Sequence, residues 1–398
     1  MAFETVKFED ITTSHLQQLV ENSVPESRTL EYKTANYGHN DESRKEALKD
    51  ITAFANSDGG HLIIGISEKS GTLAFAEGID AASADKEIQR LGSMLRDNVE
   101  PSLIGHQIKS VPIPSNRHAI IVHVPRSWTK PHRTNFKNSK RFYVRNSNGV
   151  HEVSVDELRT LFLSSQSEMD RIRSFIENRL GALATGNGIM PLSATNLVAL
   201  HIVPMLSFLG NDRIDIAQIF NKALSFFPMG TRGCNTGPNL DGLCNYSGDN
   251  GKYNTYTQIF RNWSVEAVMA GIERDHKEHK RLIPPWVAEE VVKSITRYEK
   301  ALADNGVLYP LAVFVSFIGV KGAELTLRRI SEHFYTRSPH PIDRDTLTLP
   351  ETILDQPPES GERAAFRLKG TLDALWNAAG EIGCHWFDDN GAWRPPGN

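Results

Sequence analysis

Cysteine is scarce in this chain: three residues in 398, at positions 234, 244 and 384. Three scattered thiols cannot build a disulfide framework, which points to a reducing compartment and free thiols. Cys234 and Cys244 share a Gly/Asn-rich stretch, but a zinc site would need a second pair of ligands that the sequence does not offer. Long apolar runs are missing too. None approaches the roughly 18 residues of a membrane span, and the start, Met1-Ala2-Phe3-Glu4, has neither the basic opening nor the apolar core of an export signal. The expectation is a cytoplasmic protein with no membrane partner. There is no Gly-x4-Gly-Lys-Ser/Thr phosphate loop, which argues against an ATPase, and no Gly-x-Ser-x-Gly nucleophile elbow. His276-x-x-His279 lacks the His-Glu-x-x-His arrangement and reads as the solvated face of a charged helix.

One further absence is local. The net charge is only −4, yet no acidic residue occurs from Pro101 to His151. Nine basic residues lie in that stretch: Lys109, Arg117, Arg126, Lys130, Arg133, Lys137, Lys140, Arg141 and Arg145. Residues 1–100 show the opposite bias, with 18 Asp/Glu against 10 Lys/Arg. A solvated surface normally mixes signs, so the acid-free stretch has the footprint of a polyanion site. The competing reading is a chance run of charges on scattered strands. Trp128, Phe136, Phe142 and Tyr143 are interleaved with the basic residues and could stack on unpaired bases; for Phe142, which opens a strand, a core role competes.

The pattern along the chain is mixed α/β, with two domains expected at 1–165 and 166–398. Residues 13–23 form a short amphipathic helix, and Thr29–Lys33 a strand with Glu31 and Lys33 on one face and Leu30 and Tyr32 on the other. Asp41–Ala55 is a helix capped by Asp41 or Asn40, and Asp58-Gly59-Gly60 stops it. The apolar run His61–Ser67 reads as a strand covered on both faces. A helix follows over residues 84–99, then strands at Ala119–Val124 and Phe142–Arg145. Ser154-x-x-Glu157 is a capping box opening a helix through Leu163, with a junction at Ser164–Ser167. In the second region Leu197–Val203 and Leu311–Val320 read as strands, Pro285–Asn305 as a helix, and Gly230–Asn254 and Leu349–Arg363 as loops.

Two segments carry the functional signal. Glu26-Ser27-Arg28-Thr29-Leu30-Glu31-Tyr32-Lys33 holds a Glu-x4-Glu pair, and Ala53-Phe54-Ala55-Asn56-Ser57-Asp58-Gly59-Gly60 leads into an apolar strand that stops at Glu68. With Val99-Glu100-Pro101, Lys130-Pro131-His132 and Phe142-Tyr143-Val144-Arg145, this order resembles the AlbA_2-type domain of the Schlafen family over about residues 15–163. The resemblance implies an RNA-cleaving core acting on transfer or ribosomal RNA, with three carboxylates and a divalent metal. By motif position the carboxylates are Glu26, Glu31 and Glu68, holding Mg2+ or Mn2+; Glu68 stands where the family more often has Asp.

Carboxylates gathered around a divalent ion can activate a nucleophile and neutralise a phosphorane-like transition state. Lys33 could contact the scissile phosphate or pair with a carboxylate. Lys130, His132, Arg133, Lys137, Lys140, Arg141 and Arg145 are the candidate nucleic-acid contacts; His132 could also be a general acid or a structural turn residue. The animal core pairs two such lobes, so the resemblance implies a homodimer here, and a bacterial version would suit anti-phage defence through tRNA cleavage. Two other functions compete: a non-catalytic DNA- or RNA-binding regulator using the same basic surface, and a ligand sensor acting through the second region, where His201, Gln258 and Trp376-Asn377 lie in ordered segments.

Overall fold

The computed structural model describes residues 8–114, 116–147, 149–209, 213–276, 280–331, 334–337, 340–357, 364–388 and 390–395. The chain divides into two compact units, Met1–Met169 and Asp170–Asn398, and both mix helices with sheets.

The first unit runs α1 (Thr13–Glu21), β1 (Leu30–Lys33), α2 (Asp41–Asn56), β2 (Gly59–Ile64), β3 (Ile66–Lys69), β4 (Thr72–Phe75), β5 (Ile79–Asp80), α3 (Ala81–Asn98), β6 (Val99–Glu100), β7 (Gln107–Ile113), β8 (Arg117–Pro125), β9 (Arg133–Phe136), β10 (Ser139–Asn146), β11 (Gly149–Glu152) and the first half of α4 (Val155–Ala184), whose residues from Asp170 onward belong to the second unit. Its main sheet has β1 at one edge, parallel to β2. β2 lies antiparallel to β8, and β8 also pairs with β7 and β5. The unbroken apolar character of β2 follows from this placement. Leu62 and Ile64 pack with Leu48, Ile51 and Phe54 of α2 and Leu91 of α3. Ile63 faces the other way, with Leu16 and Leu19 of α1. A second sheet, ordered β11-β10-β9-β6, carries the later part of the acid-free stretch, whose earlier part lies on β7 and β8 of the main sheet.

The run 61–67 is not one strand. Gly65 has φ +108°, and a Cβ there would meet Gly78 Cα at 3.2 Å and Ala119 Cα at 3.3 Å. Only glycine fits this bend, and it diverts the chain into the separate β3–β4 ribbon, where Glu68 pairs with Leu73. α4 likewise departs from expectation. It is continuous through Ser164–Ser167, because no proline or glycine interrupts Val155–Leu180.

The second unit centres on an antiparallel sheet in the order Asn235–Asn239, Gly242–Asp249, Lys252–Phe260, Val265–Ala270, Leu197–Pro204, Leu311–Ile318 and Thr346–Thr348. The helix Pro285–Asp304 contributes Val287, Val291, Ile295 and Leu302 to its core. A smaller sheet joins Arg274–His276, Lys280–Ile283, Glu324–Ser331 and Phe334–Arg337. Thus His276 ends a strand rather than riding a helix, and residues 277–279 lie outside the described residues. The stretch 230–254 is also strand rather than loop. Its buried Asn245 is fully paired: Thr236 donates to it at 2.7 Å, and it donates to the carbonyls of Ala223 and Phe226 at 2.7 and 2.9 Å. Satisfied polar residues carry no hydrophobic alternation for a sequence reading to find.

Candidate nucleic-acid interface and carboxylate cluster

β1 sorts the candidate carboxylates onto different sides of the sheet. Glu31 and Lys33 point towards α2, whereas Tyr32 packs with the α1 side. Glu26, exposed ahead of the strand, accepts the Tyr32 N–H at 2.9 Å. It thereby occupies a free edge position of β1. Glu68 is exposed on β3. Burial raises the pKa of the Tyr32 phenol, and Glu68 and then Glu26 push it further. Those two carboxylates therefore flank one tyrosine, while Glu31 lies on the opposite face.

Glu31 is fully engaged. Its Oε1 lies 2.9 Å from Lys33 Nζ, and its Oε2 accepts a hydrogen bond from Arg145, with all three side chains largely buried. Lys33 also reaches Asp50 at 3.0 Å and Glu46 at 3.3 Å. Burial acts to lower the Lys33 pKa, but Asp50 and Glu31 outweigh it and hold it above the usual value. Asp50 is raised by burial and by Glu31, against the opposing pull of Lys33 and of the Tyr37 hydroxyl, which donates to it at 2.8 Å. Lys33 thus pairs with carboxylates. Asp50, Glu46 and Tyr37 carry no motif in the sequence; the signal for the two acids is their i, i+4 spacing on α2 beside the apolar stripe, and Tyr37 lies in the loop before the helix. A divalent cation needs carboxylate oxygens free to receive it. Both oxygens of Glu31 are taken, and among the described residues no group of three or more His, Cys, Asp or Glu side chains is gathered to hold a metal. As arranged here, Glu26, Glu31 and Glu68 do not fit Mg2+ or Mn2+.

The Ala53–Gly60 segment is a clasp between the two sheets. Asn56 accepts the His132 N–H at 2.6 Å and donates to the carbonyls of His132 and Tyr143, each at 2.8 Å. Ser57 Oγ accepts the Arg145 N–H at 2.7 Å. Gly60, at φ +152°, is compulsory: a Cβ would sit 2.4 Å from the Thr29 carbonyl oxygen and 2.7 Å from the Phe54 ring. Asp58 pairs with Arg28 at 2.7 Å on the surface.

The nine cations of the acid-free stretch do not form a bare patch. Arg117 pairs with Asp80, Arg126 and Lys130 with Glu168, Arg133 with Glu100, Lys137 with Asp41, Arg141 with Glu152 and Arg145 with Glu31. Lys109 is taken up by the carbonyls of Glu9 and Ile11 at 2.9 and 2.7 Å. Lys140 is exposed with no ion-pair partner among the described residues.

Three of the candidate contacts are corrected. His132 is 0% exposed, with Nδ1 2.6 Å from the Pro101 carbonyl and Nε2 2.5 Å from Ser127 Oγ. Burial pushes its pKa down to about 4, so it is a neutral structural residue. Lys130 is buried against Glu168, and burial lowers its pKa. Arg145 is buried over the Phe54 ring, 5.0 Å from its centroid, and donates to the Ser27 carbonyl at 2.9 Å. None of the three can reach a phosphate from its present position. Arg133, Lys137, Lys140 and Arg141 remain at least partly exposed on β9, β10 and their turn.

In the second unit His201 is buried, its Nε2 3.0 Å from Glu266. Arg179 and Tyr256 donate to the same carboxylate. Burial alone would raise Glu266, but the hydrogen bonds from Arg179 and His201 hold it down at about 2. This is a buried internal ionic network. Cys244 is buried on a strand with its thiol pushed up to about 12 by burial.

A two-sheet α/β domain, clasped by an Asn-Ser-Asp-Gly-Gly turn and carrying cations on one sheet, is the class defined by this geometry. Residues 26–154 match the family model described as Schlafen, AlbA_2, and this part of the chain is an AlbA_2-type domain. The rest of the chain lies outside that match. No curated protein matches the chain. Among solved structures, it is similar to the N-terminal domain of a putative ATP-dependent DNA helicase RecG-related protein from Nitrosomonas europaea, at 21% identity and TM-score 0.26, over 36% of this chain and 92% of that one. It is also similar to the DIP2311 protein of Corynebacterium diphtheriae, at 15% identity and TM-score 0.26, over 35% of this chain and 26% of that one. Likenesses this slight bear on neither fold nor function. Among the described residues no helix is long and apolar enough to cross a membrane.

Proposed function

We propose that the N-terminal unit binds nucleic acid, contacting phosphates through Arg133, Lys137, Lys140 and Arg141. The observation that carries this reading is the exposure of the ion pairs. Glu100, Asp41 and Glu152, the partners of three of these cations, have side chains 55%, 48% and 52% exposed. Such surface pairs are worth about 0–1 kcal/mol, so a phosphate can replace the carboxylate at little cost. The AlbA_2 match supports the same class of partner.

A second reading is cleavage of structured RNA such as tRNA, with Mg2+ or Mn2+ on Glu26, Glu31 and Glu68. The AlbA_2 match prompts it, although among the described residues the three carboxylates are not gathered around one point. It requires Glu31 to exchange Arg145 and Lys33 for the metal. A second copy of the chain would supply the facing half of an RNA groove. The two readings separate when the full chain is incubated with total tRNA and manganese beside Glu26→Ala/Glu31→Ala and Glu26→Ala/Glu68→Ala variants. Binding without cleavage by any of them supports the first reading. Cleavage that disappears in both variants while binding persists supports the second. Absence of binding overturns both.

A further inference from the structure

β9 and β10 present Thr134, Phe136, Ser139, Arg141 and Tyr143 on one face, opposite Lys45 of α2, and the space between is an open hollow of about 330 Å³. Nothing in the preceding reading uses it. Its size is at the lower end of small-molecule sites, roughly 300–1,000 Å³, enough for one nucleoside and far too small for a duplex. Its chemistry is divided. Phe136 and Tyr143 supply aromatic surface, and Phe136 is fixed in the core while Tyr143 is only half-buried. Lys45 is exposed with no ion-pair partner among the described residues. Arg141, on the same face of β10 as Tyr143, pairs with the exposed Glu152. The Ser139 hydroxyl adds a polar group at the wall. Lys137 and Lys140 lie on the same hairpin, where phosphates on either side of a bound nucleotide would pass.

We propose that this hollow takes one unpaired nucleotide of a single-stranded nucleic acid, with its base against Tyr143 and its phosphate between Lys45 and Arg141. The inference rests on the nucleic-acid-binding reading and sharpens it, because a paired base cannot enter. A base on an aromatic face gains stacking that does not depend on its identity, so the site selects strandedness rather than sequence.

The test is fluorescence anisotropy on the full chain with a labelled oligouridine of about 12 nucleotides, within the usual footprint of single-strand binders, beside a duplex of equal length. The single strand binds more tightly. Tyr143→Ala weakens single-strand binding about 5- to 100-fold, while Tyr143→Phe stays close to the unaltered protein. Lys45→Ala, at an exposed position, reduces the salt slope by about 0.7. Unchanged thermal melts establish that the variants fold. Equal affinity for single strand and duplex overturns the hollow. So does unchanged binding by Tyr143→Ala and Lys45→Ala when Lys140→Ala weakens it; in that case the broader reading stands. No binding of either nucleic acid by the unaltered protein overturns the hollow and the nucleic-acid reading together.

Discussion

Arg145 illustrates how the meaning of one residue changes between sequence and structure. In the sequence it is the last cation of an acid-free stretch; in the fold it is buried with Glu31, Phe54 and the Ser27 carbonyl. Removing one partner of a buried pair leaves an uncompensated charge, so Arg145→Met should lower stability by about 3 kcal/mol in urea unfolding. The double variant Arg145→Met/Glu31→Gln should recover part of that loss, and strict additivity would show that the pair is not coupled. The histidines give a second residue-level expectation. Burial pushes His61 down to about 3, with a smaller push from His123, and burial puts His123 and His132 at about 4. Their folded pKa values lie below the unfolded value of about 6.5, so the unfolded chain takes up protons that the folded chain refuses. Stability therefore falls as pH drops from about 6.5 towards 4, by up to about 1.4 kcal/mol per pH unit for each histidine. Urea midpoints at a series of pH values check this, and His123→Phe should flatten the profile.

At the scale of elements, the clasp at the end of α2 joins the two sheets through side chains rather than through a ladder. Asn56→Ala removes three hydrogen bonds and should cost about 3 kcal/mol, at roughly 1 kcal/mol each. Asn56→Asp, which retains the acceptor but loses the donors, should also destabilise; a variant as stable as the unaltered protein would remove the clasp from the account. Much of this level was legible in the sequence. Asn40 caps α2, accepting the Ser43 N–H at 2.8 Å, and Ser154 and Glu157 form the anticipated box at the start of α4. These are local signals, settled within four residues of chain. The break at Gly65 was not legible, because its cause is the approach of Gly78 and Ala119 from elsewhere in the fold. The polar hairpins after Gly230 were missed for a related reason: their buried Asn and Thr side chains are satisfied by partners remote in sequence.

At the scale of the molecule, charge is where sequence and structure differ most. The acid-free stretch is real, but Asp41, Asp80, Glu100, Glu152 and Glu168, all outside it, fold back onto its cations. Sequence distance hides such pairing, so the run of like charges overstated the free basic surface. What the fold leaves is a smaller set of exchangeable cations on one hairpin and the facing helix. The central claim is that these cations hold a polyanion. The most direct measurement is the dependence of Kd on salt for single-stranded RNA and the full chain. With Lys45, Arg133, Lys137, Lys140 and Arg141 in contact with phosphate, the log–log slope of the association constant should be about −3.5, from about −0.7 per contact. A slope near zero, or no measurable binding at low salt, would contradict it.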